Sequence, residues 1–350
     1  MDMDPNTTFT TPGQVYFNIT DVIANKSCSF KIQMYIFEPW VKAVFISLYV
    51  IIFVVGVGGN LAVLAVVLGN KHMRTPINLY LVNLAAADLI MCFTANIFTP
   101  LNEFMRGMGH RVLGEALALC KLIPSCMHVT VYMSTFTLTV VSVQRYRAVF
   151  YPFSTKANSL AKTVFIIIFI DLLAIIFTLP YTWSMVVVTD PYGKPDCIEN
   201  WPHGLDGWMY GLFTYVIQFI IPFTTIVICY TRIMTHLRKR AIGGRSESMT
   251  THQILEETAK ITRMNKMLIS IAVIFGICWF PINLFNLVFD ILELIINAHC
   301  WGLKFLTFFI VHVIAMSSTC YNPFLYGLLN PAFREEFAKL RPSCVLKTRL

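Results

Sequence analysis

The residues best suited to chemistry are single polar side chains that interrupt long apolar runs of the sequence. Asp88 ends a Leu-Ala-Ala-Ala-Asp stretch, Arg145 lies in Gln-Arg-Tyr, and Asn322 begins Asn-Pro-Phe-Leu-Tyr. A charged group among apolar residues binds an ion, pairs with another polar group, or changes partners between two states. Hydrolysis would instead need a nucleophile with a base, as in Gly-x-Ser-x-Gly with a histidine, and this motif is absent from the sequence. The polar residues therefore predict a switch rather than a catalytic site.

Seven apolar runs form the elements that would position these side chains, and we number them as spans one to seven. Of the 350 residues, 56% are apolar and 13% are charged, and the mean hydropathy is +0.65. Soluble domains carry roughly 25% charged residues. Each run can cross the roughly 30 Å hydrocarbon core as a helix, whereas a membrane barrel would need alternating strands of about ten residues. The runs lie near 43–68, 79–101, 117–143, 163–183, 208–230, 266–289 and 303–329.

The distribution of charge predicts how this bundle is oriented. If the N-terminus is outside, the segments facing the cytoplasm hold 19 of the 27 Lys and Arg residues with 5 acids, and the outer segments hold 8 bases and 12 acids. Basic loops stay on the cytoplasmic side, so we expect an extracellular N-terminus and a cytoplasmic C-terminus at the plasma membrane. Topology accounts for the positive charge, which excludes nucleic acid as a partner. The acidic outer face indicates a cationic ligand.

We therefore predict an all-α fold, a bundle of seven transmembrane helices. The expected regions are an extracellular tail over 1–40, the bundle over 41–329 and a cytoplasmic region over 330–350. A transporter is the alternative from a different class. It would show internal repeats or a chain of charged residues through several spans, whereas only Asp88 and Asp171 lie deep in the predicted membrane.

Prolines inside three spans predict points where the helices bend. Pro222, Pro281 and Pro323 lie within spans five, six and seven. Each proline removes a backbone hydrogen bond from its helix. We expect these hinges to convert inward movement at one end of the bundle into outward movement at the other, a rigid-body transition.

In this combination and order, the motifs resemble those of rhodopsin-like G-protein-coupled receptors over residues 40–340. The resemblance rests on Asp88, Cys120, the Arg145 motif, the Phe-x-x-Cys-Trp-x-Pro stretch 275–281, and Asn-Pro-x-x-Tyr at 322–326. It implies signalling through heterotrimeric G proteins, with the Gi/o class favoured, and no enzymatic activity. The residues that it implies in G-protein coupling and activation are Arg145, Gln144, Tyr230, Trp279, Phe275, Pro281, Asn322, Pro323 and Tyr326.

The same resemblance implies an allosteric sodium ion midway through the bundle. Its ligands would come from Asp88, Ser134 and Asn322, and the ion would favour the inactive state. The alternative is a hydrogen-bonded polar core without an ion. We expect no other cofactor.

Two positions depart from the pattern of these receptors. Gln144 replaces the usual acid before Arg145, and the stretch 260–262 in span six, Lys-Ile-Thr, lacks the second acid. The inactive state thereby loses a charge-assisted bond to Arg145. Asp171 replaces a usual Trp in span four, where a charge costs about 2.5–3.5 kcal/mol on insertion scales. We expect Asp171 to be protonated, paired, or facing another helix.

Within these receptors, the sequence is similar to neuropeptide Y and invertebrate neuropeptide F receptors. Met127 occupies the position where amine receptors need an acid, and span seven lacks the central Lys of a retinal protein. Receptors for prolactin-releasing peptide share much of the pattern, so a ligand of that kind or another RFamide peptide is the alternative. The stretches that carry the resemblance are 114–116, 120–122, 178–181, 265–268 and 312–323.

This finer resemblance implies a pocket for an amidated neuropeptide with Arg near its C-terminus. Asp290, at the outer end of span six, would pair with that Arg, and Asn286 lies four residues earlier on the same helix face. A solvated helix-end acid is the alternative for Asp290, and a packed core histidine is the alternative for His312. The expected ligand-binding residues are Asp290, Asn286, Gln218, Thr99, His312 and Met127.

Covalent modifications are expected on both sides of the membrane. The resemblance implies an outer disulfide between Cys120 and Cys197, and Cys28 with Cys300 is the simple remaining outer pairing. Cys344 is a candidate for palmitoylation. Three sequons in the tail predict glycosylation. Their asparagines are Asn6, Asn18 and Asn25.

The C-terminal region is expected to contact lipid and protein partners. The stretch 333–337, Phe-Arg-Glu-Glu-Phe, resembles the short amphipathic helix that lies on the inner leaflet in these receptors. The final residues, Thr348-Arg349-Leu350, resemble a ligand of class I PDZ domains, which add such a tail as a strand.

Overall fold

The computed structural model describes most of the chain between residues 39 and 340. For residues 105–106, 240–243, 251–258, 260, 290–296 and 301–305 it describes the backbone alone. The ranges described are 39–106, 112–114, 116–151, 160–189, 193–201, 207–243, 251–296 and 301–340.

Among the described residues, seven helices are long and apolar enough to cross a membrane, which confirms the predicted spans. Most of these helices continue past the apolar run at one or both ends, because polar residues prolong a helix once it is formed. Their bounds, for spans one to seven, are Pro39–Gly69, Pro76–Phe104, Leu117–Phe150, Leu160–Ser184, Gly207–Lys239, Ile261–Phe289 and Leu306–Leu329.

Several spans are parts of longer or composite helical segments. Span two consists of Pro76–Phe93 and Ala95–Arg106. Span six lies within the helix Thr251–Ile296, and span seven lies within Trp301–Leu329. A 3₁₀ turn, Lys71–Met73, connects the first two spans.

The short C-terminal helix predicted after span seven is present as Pro331–Lys339, and we call it the terminal helix. Asn330 caps it by accepting a hydrogen bond from the backbone N–H of Ala332 at 3.1 Å, and proline at the first position has no N–H to lose. Phe333 is fully buried, with its ring centroid 5.4 Å from that of Tyr326. This contact anchors the terminal helix to the end of span seven.

Span five contains a π-helical turn that the sequence analysis did not predict. The segments are Gly207–Tyr215, the π turn Val216–Ile220, and Ile221–Gly243. Pro222 has no N–H to offer the carbonyl of residue 218, which explains why the regular pattern is interrupted one turn before the proline. The irregularity expected at Pro222 therefore lies just before it.

A β-hairpin adds two strands to the predicted all-α fold. Strand β1, Met185–Thr189, pairs antiparallel with strand β2, Pro195–Glu199, and Val187 lies opposite Cys197. The β-branched run in β1 favours an extended strand. The hairpin directly follows span four, and we call this end of the bundle the hairpin end.

Candidate functional site

A cavity of about 500 Å³ lies at the hairpin end, bounded by spans two, three, five, six and seven and by strand β2. It brings together five of the six residues predicted to bind a ligand. The side chain of the sixth, Asp290, lies outside the described residues. The five that line the cavity are Thr99, Met127, Gln218, Asn286 and His312.

The predicted outer disulfide holds the hairpin against this cavity. Cys120 at the start of span three and Cys197 in β2 form a bond of 2.00 Å, with their Cα atoms 5.5 Å apart. Gly114 approaches the same strand closely, because a Cβ built on it would lie 2.3 Å from the backbone oxygen of Pro195. Both contacts fix strand β2, and with it the cavity wall that the strand forms.

His312 is packed in the core and also lies on the cavity wall. Its side chain is fully buried, and Nδ1 is 2.8 Å from the hydroxyl of Tyr49 in span one. Its Nε2 has no hydrogen-bond partner among the described residues. A ligand group in the cavity would satisfy that nitrogen.

Gln218 owes its position to the π turn of span five. It lies in the middle of that turn, is 4% exposed, and lines the cavity. Together with Asn286 of span six, it gives the cavity two side-chain amides, each of which both donates and accepts hydrogen bonds.

The sequence analysis missed a polar group where the hairpin meets span three. The imidazole of His128 lies 3.9 Å from the ring of Tyr181, measured between centroids, and its Nδ1 lies 3.1 Å from the backbone oxygen of Pro124. Glu199 of β2 accepts a hydrogen bond from Trp201 Nε1 at 3.1 Å. Both His128 and Glu199 line the cavity. The available signal was that Glu199 follows Cys197 by two residues, so the disulfide carries it to the cavity.

Deeper in the bundle, Asp88 and Asn322 are joined as the sequence suggested. Asn322 Nδ2 donates to Asp88 Oδ2 at 2.8 Å, and both residues are buried. Ser134 is buried in span three. The carboxylate, amide and hydroxyl oxygens of these side chains are of the kind that bind hard cations. The described residues include no group of three His, Cys, Asp or Glu that could hold a metal ion.

Asp171 is paired, and its partner explains how span four tolerates it. Asn83 Nδ2 in span two donates to Asp171 Oδ1 at 3.0 Å and to Thr137 Oγ1 at 3.0 Å. Asp171 therefore faces the junction of spans two, three and four. This arrangement agrees with the expectation of a paired acid and gives it a structural role.

The hinge region of span six packs against span seven. Trp279 Nε1 donates to Ser318 Oγ at 3.1 Å, and its ring stacks on Phe275 with centroids 5.8 Å apart. Pro281 lies inside the helix two residues closer to the hairpin end than Trp279. In span seven, Pro323 packs against Gly59, where an added Cβ would lie 2.8 Å from the proline ring.

At the opposite end, the structure brings two of the predicted activation residues, Arg145 and Tyr230, close together. Gln144 does not bond to Arg145 but donates from Nε2 to the Tyr80 hydroxyl at 2.5 Å. Arg145 lies near enough to the buried Tyr230 for the two groups to interact electrostatically. Arg145 Nε and the Tyr326 hydroxyl have no hydrogen-bond partner among the described residues. Both atoms are buried.

The terminal helix is also held by charge. Glu336 accepts from Lys339 Nζ at 2.5 Å and lies 3.4 Å from His72 Nε2 in the first connecting turn. The hydrogen bond from Lys339, followed by the charges of Lys339 and His72, holds the pKa of Glu336 below its usual value.

The remaining predicted sites lie outside the described residues, and they stay predictions. These are the second disulfide, the palmitoylation site, the PDZ ligand and the glycosylation sites, at Cys28, Cys300, Cys344, Thr348–Leu350, Asn6, Asn18 and Asn25.

Comparison with known proteins agrees with this geometry. The family described as "7 transmembrane receptor (rhodopsin family)" matches residues 59–326. The Neuropeptide F receptor of Drosophila melanogaster is 30% identical over 318 residues, covering 88% of this chain and 64% of that receptor. Neuropeptide Y receptor type 6 of Mus musculus is 30% identical, covering 85% of this chain and 80% of the receptor. Type 2 of the same species is 33% identical, covering 85% and 76%.

These matches set aside the transporter alternative. The family match over 59–326 includes all of spans two to six, both disulfide cysteines and the motifs at Asp88, Arg145 and Asn322. The protein is a multi-pass membrane protein and not an enzyme. The chain belongs to the rhodopsin family of seven-transmembrane G-protein-coupled receptors.

Proposed function

We propose that the protein is a receptor for an amidated neuropeptide with Arg near its C-terminus. The observation that carries this proposal is the cavity at the hairpin end, with Gln218, Asn286 and His312 on its walls. A peptide amide presents one carbonyl acceptor and two N–H donors, and side-chain amides complement both kinds of group. The relatives named for neuropeptides F and Y support the same ligand class.

The size of the cavity supports recognition of one end of a peptide. A volume of about 500 Å³ lies in the range of about 300–1,000 Å³ found for small-molecule pockets. It accommodates the last residues of a peptide, and the remainder would contact the hairpin and the outer segments. Recognition of the amidated C-terminus is therefore the arrangement that we propose.

Acidic residues provide the complement to the peptide Arg. Glu103 and Glu199 line the cavity, and Asp290 follows Asn286 by one turn of the same helix. A guanidinium that leaves water needs a carboxylate partner to offset its desolvation. We assign the main contact to Asp290, as the resemblance implies.

On the opposite side, we propose coupling to a heterotrimeric G protein of the Gi/o class. The unpaired Arg145 Nε and Tyr326 hydroxyl support this assignment, because a docking helix would offer them partners. The charge distribution supports an extracellular hairpin end at the plasma membrane and cytoplasmic placement of the Arg145 end. We further propose that Asp88, Ser134 and Asn322 bind sodium in the inactive state.

An Arg-Phe-amide peptide is the second candidate ligand. Phe285 and Phe308 line the cavity with ring centroids 6.2 Å apart, and this aromatic wall suits a terminal Phe. A panel of amidated peptides tested for G-protein nucleotide exchange separates the two candidates. A Tyr-amide peptide that is more potent supports a neuropeptide Y-like ligand, and a Phe-amide peptide that is more potent supports a ligand with an Arg-Phe-amide terminus. If neither peptide acts, the ligand proposal fails.

A further inference from the structure

A second cavity of about 450 Å³ forms a groove between spans five and six, at the end away from the hairpin. Its rims are exposed, since Val227 of span five is 61% exposed and Val273 of span six is 51% exposed. Its floor is buried and includes Tyr230. A groove with this exposure on a membrane-spanning bundle opens onto lipid rather than onto the interior.

The polarity of the groove changes along span five. Phe223 and Val227 line the part of the groove nearer the hairpin end. Thr231, Thr235 and Arg238 follow at helical spacing towards the Arg145 end of span five. Phe223 and Arg238 are separated by about 22 Å of helix at about 1.5 Å per residue. One leaflet contributes about half of the roughly 30 Å hydrocarbon core. The groove thus matches an acyl chain plus the region of its headgroup.

Charge identifies the headgroup that would complement the groove. Arg238 is exposed at the polar end and makes no ion pair with any residue that the structure describes. Thr231 provides a hydroxyl on the same wall, about 10 Å of helix before Arg238 and within the combined reach of the long guanidinium side chain and a phosphate group. A guanidinium binds phosphate oxygens in a bidentate manner, and a hydroxyl adds a further donor.

We propose that this groove binds one anionic phospholipid from the leaflet at the Arg145 end. The phosphate contacts Arg238 and Thr231, and an acyl chain lies between Phe223, Val227 and Val273. The chain covers Tyr230, which is the electrostatic neighbour of Arg145. Bound lipid therefore contacts both span five and span six beside the neighbour of Arg145.

Native mass spectrometry of the purified receptor with phosphatidylserine tests the proposal. We expect one retained phosphatidylserine per wild-type receptor, and about tenfold weaker retention after Arg238→Gln, since one good ionic contact accounts for about that factor. Arg232→Gln is the matched control, because Arg232 is exposed on the same helix but does not line the groove. Equal losses in the two variants would show diffuse charge attraction and overturn the proposal.

A second pair of variants tests the acyl-chain part without changing charge. Val227→Trp fills the groove and should remove the retained lipid, whereas Ile228→Trp, at an exposed neighbour outside the groove, should not. Equal retention of phosphatidylcholine would contradict selection of an anionic headgroup. Displacement of the lipid by inorganic phosphate would show that only the anion is bound, which would also overturn the assignment.

Discussion

Gln144 and Tyr80 join spans three and two through a hydrogen bond of 2.5 Å, from the amide nitrogen to the phenol. The residue that precedes Arg145 therefore restrains a neighbouring span and not the arginine itself. Because glutamine has no charge, Arg145 lacks the charge-assisted partner that an acid would provide. This contact predicts a receptor with measurable activity in the absence of ligand.

Replacing Gln144 with Asp should lower that basal activity. If the new charged contact to Arg145 contributes about 1 kcal/mol, the active fraction falls about fivefold. The measurement is agonist-free nucleotide exchange at equal surface expression. Gln144→Ala is the control, because it removes the bond to Tyr80 without adding a charge and should not lower the basal rate. Unchanged or higher activity in Gln144→Asp would rule out the charge argument.

Gly114 should be intolerant of even one added methyl group. A Cβ at this position would lie 2.3 Å from the Pro195 oxygen, a backbone atom that cannot move without shifting β2. Overpacking of this kind costs about 1–3 kcal/mol. We expect Gly114→Ala to lower the thermal stability of the purified receptor. At Gly58 an added Cβ meets no atom within 4 Å, so Gly58→Ala should have no such effect. Equal stability of the two variants would be inconsistent with the close approach.

The Asn83 and Asp171 pair should respond asymmetrically to mutation. In Asp171→Leu, Asn83 stays hydrogen-bonded to Thr137. The free energy of unfolding should therefore fall by about 0.6 kcal/mol, the mean for polar pairs between membrane helices. Asn83→Leu leaves the Asp171 carboxyl without its donor, a loss of about 1–3 kcal/mol. Thermal unfolding of the two variants and of the double variant tests this order. The double variant should be more stable than Asn83→Leu alone, and strict additivity would contradict the pairing.

The docking of the terminal helix should weaken only when the pH falls into the acid range in which Glu336 is protonated. The pKa of Glu336 is lowered in the folded state, chiefly by Lys339. Ionised Glu336 therefore stabilises the docked terminal helix above the ordinary glutamate pKa of about 4.3, and this stabilisation is lost as the pH falls through the lower folded pKa. A spin label at Ala338 should keep constant mobility between about pH 6 and 8 and become mobile only in that acid range. Glu336→Gln should remove this transition, and Glu335→Gln should retain it. A transition near neutral pH would contradict the assignment to Glu336.

The elements that depend on chain length and local composition could be predicted from the sequence. Seven apolar runs predicted seven spans, and Asn330-Pro331 marked the start of the terminal helix. These features follow from local hydrophobicity and capping, and neighbouring elements change them little. The proximity of Asp88 and Asn322 was instead implied by the resemblance to rhodopsin-like receptors.

The features that depend on packing between elements could not be predicted. The contact of Glu199 with the cavity requires the register of the hairpin, and the sequence showed only a loop there. The π turn at Gln218 rotates one part of span five relative to the other, which changes the side chains that face inward. The partner of Asp171 could not be predicted, because the sequence of span four does not specify which neighbouring span its acid faces.

The central claim is that the cavity binds an Arg-containing amidated peptide and that this binding activates a G protein. The direct measurement is peptide-stimulated nucleotide exchange by the wild-type receptor and the Asp290→Ala variant, each with the Arg peptide and with its citrulline analogue. Removing one partner of such a pair costs about 2–5 kcal/mol of binding free energy. Asp290→Ala should therefore lower the potency of the Arg peptide by roughly 30-fold or more.

Replacing the peptide Arg with citrulline should lower the potency of the peptide at the wild-type receptor by the same factor. At the Asp290→Ala variant, the same replacement should change the potency little. Glu199→Gln serves as the matched control for a neighbouring acid and should keep the sensitivity to citrulline. If the losses from Asp290→Ala and from citrulline simply multiply, Asp290 does not contact the peptide Arg. If no amidated Arg peptide stimulates exchange by the wild-type receptor, the account of its function is wrong.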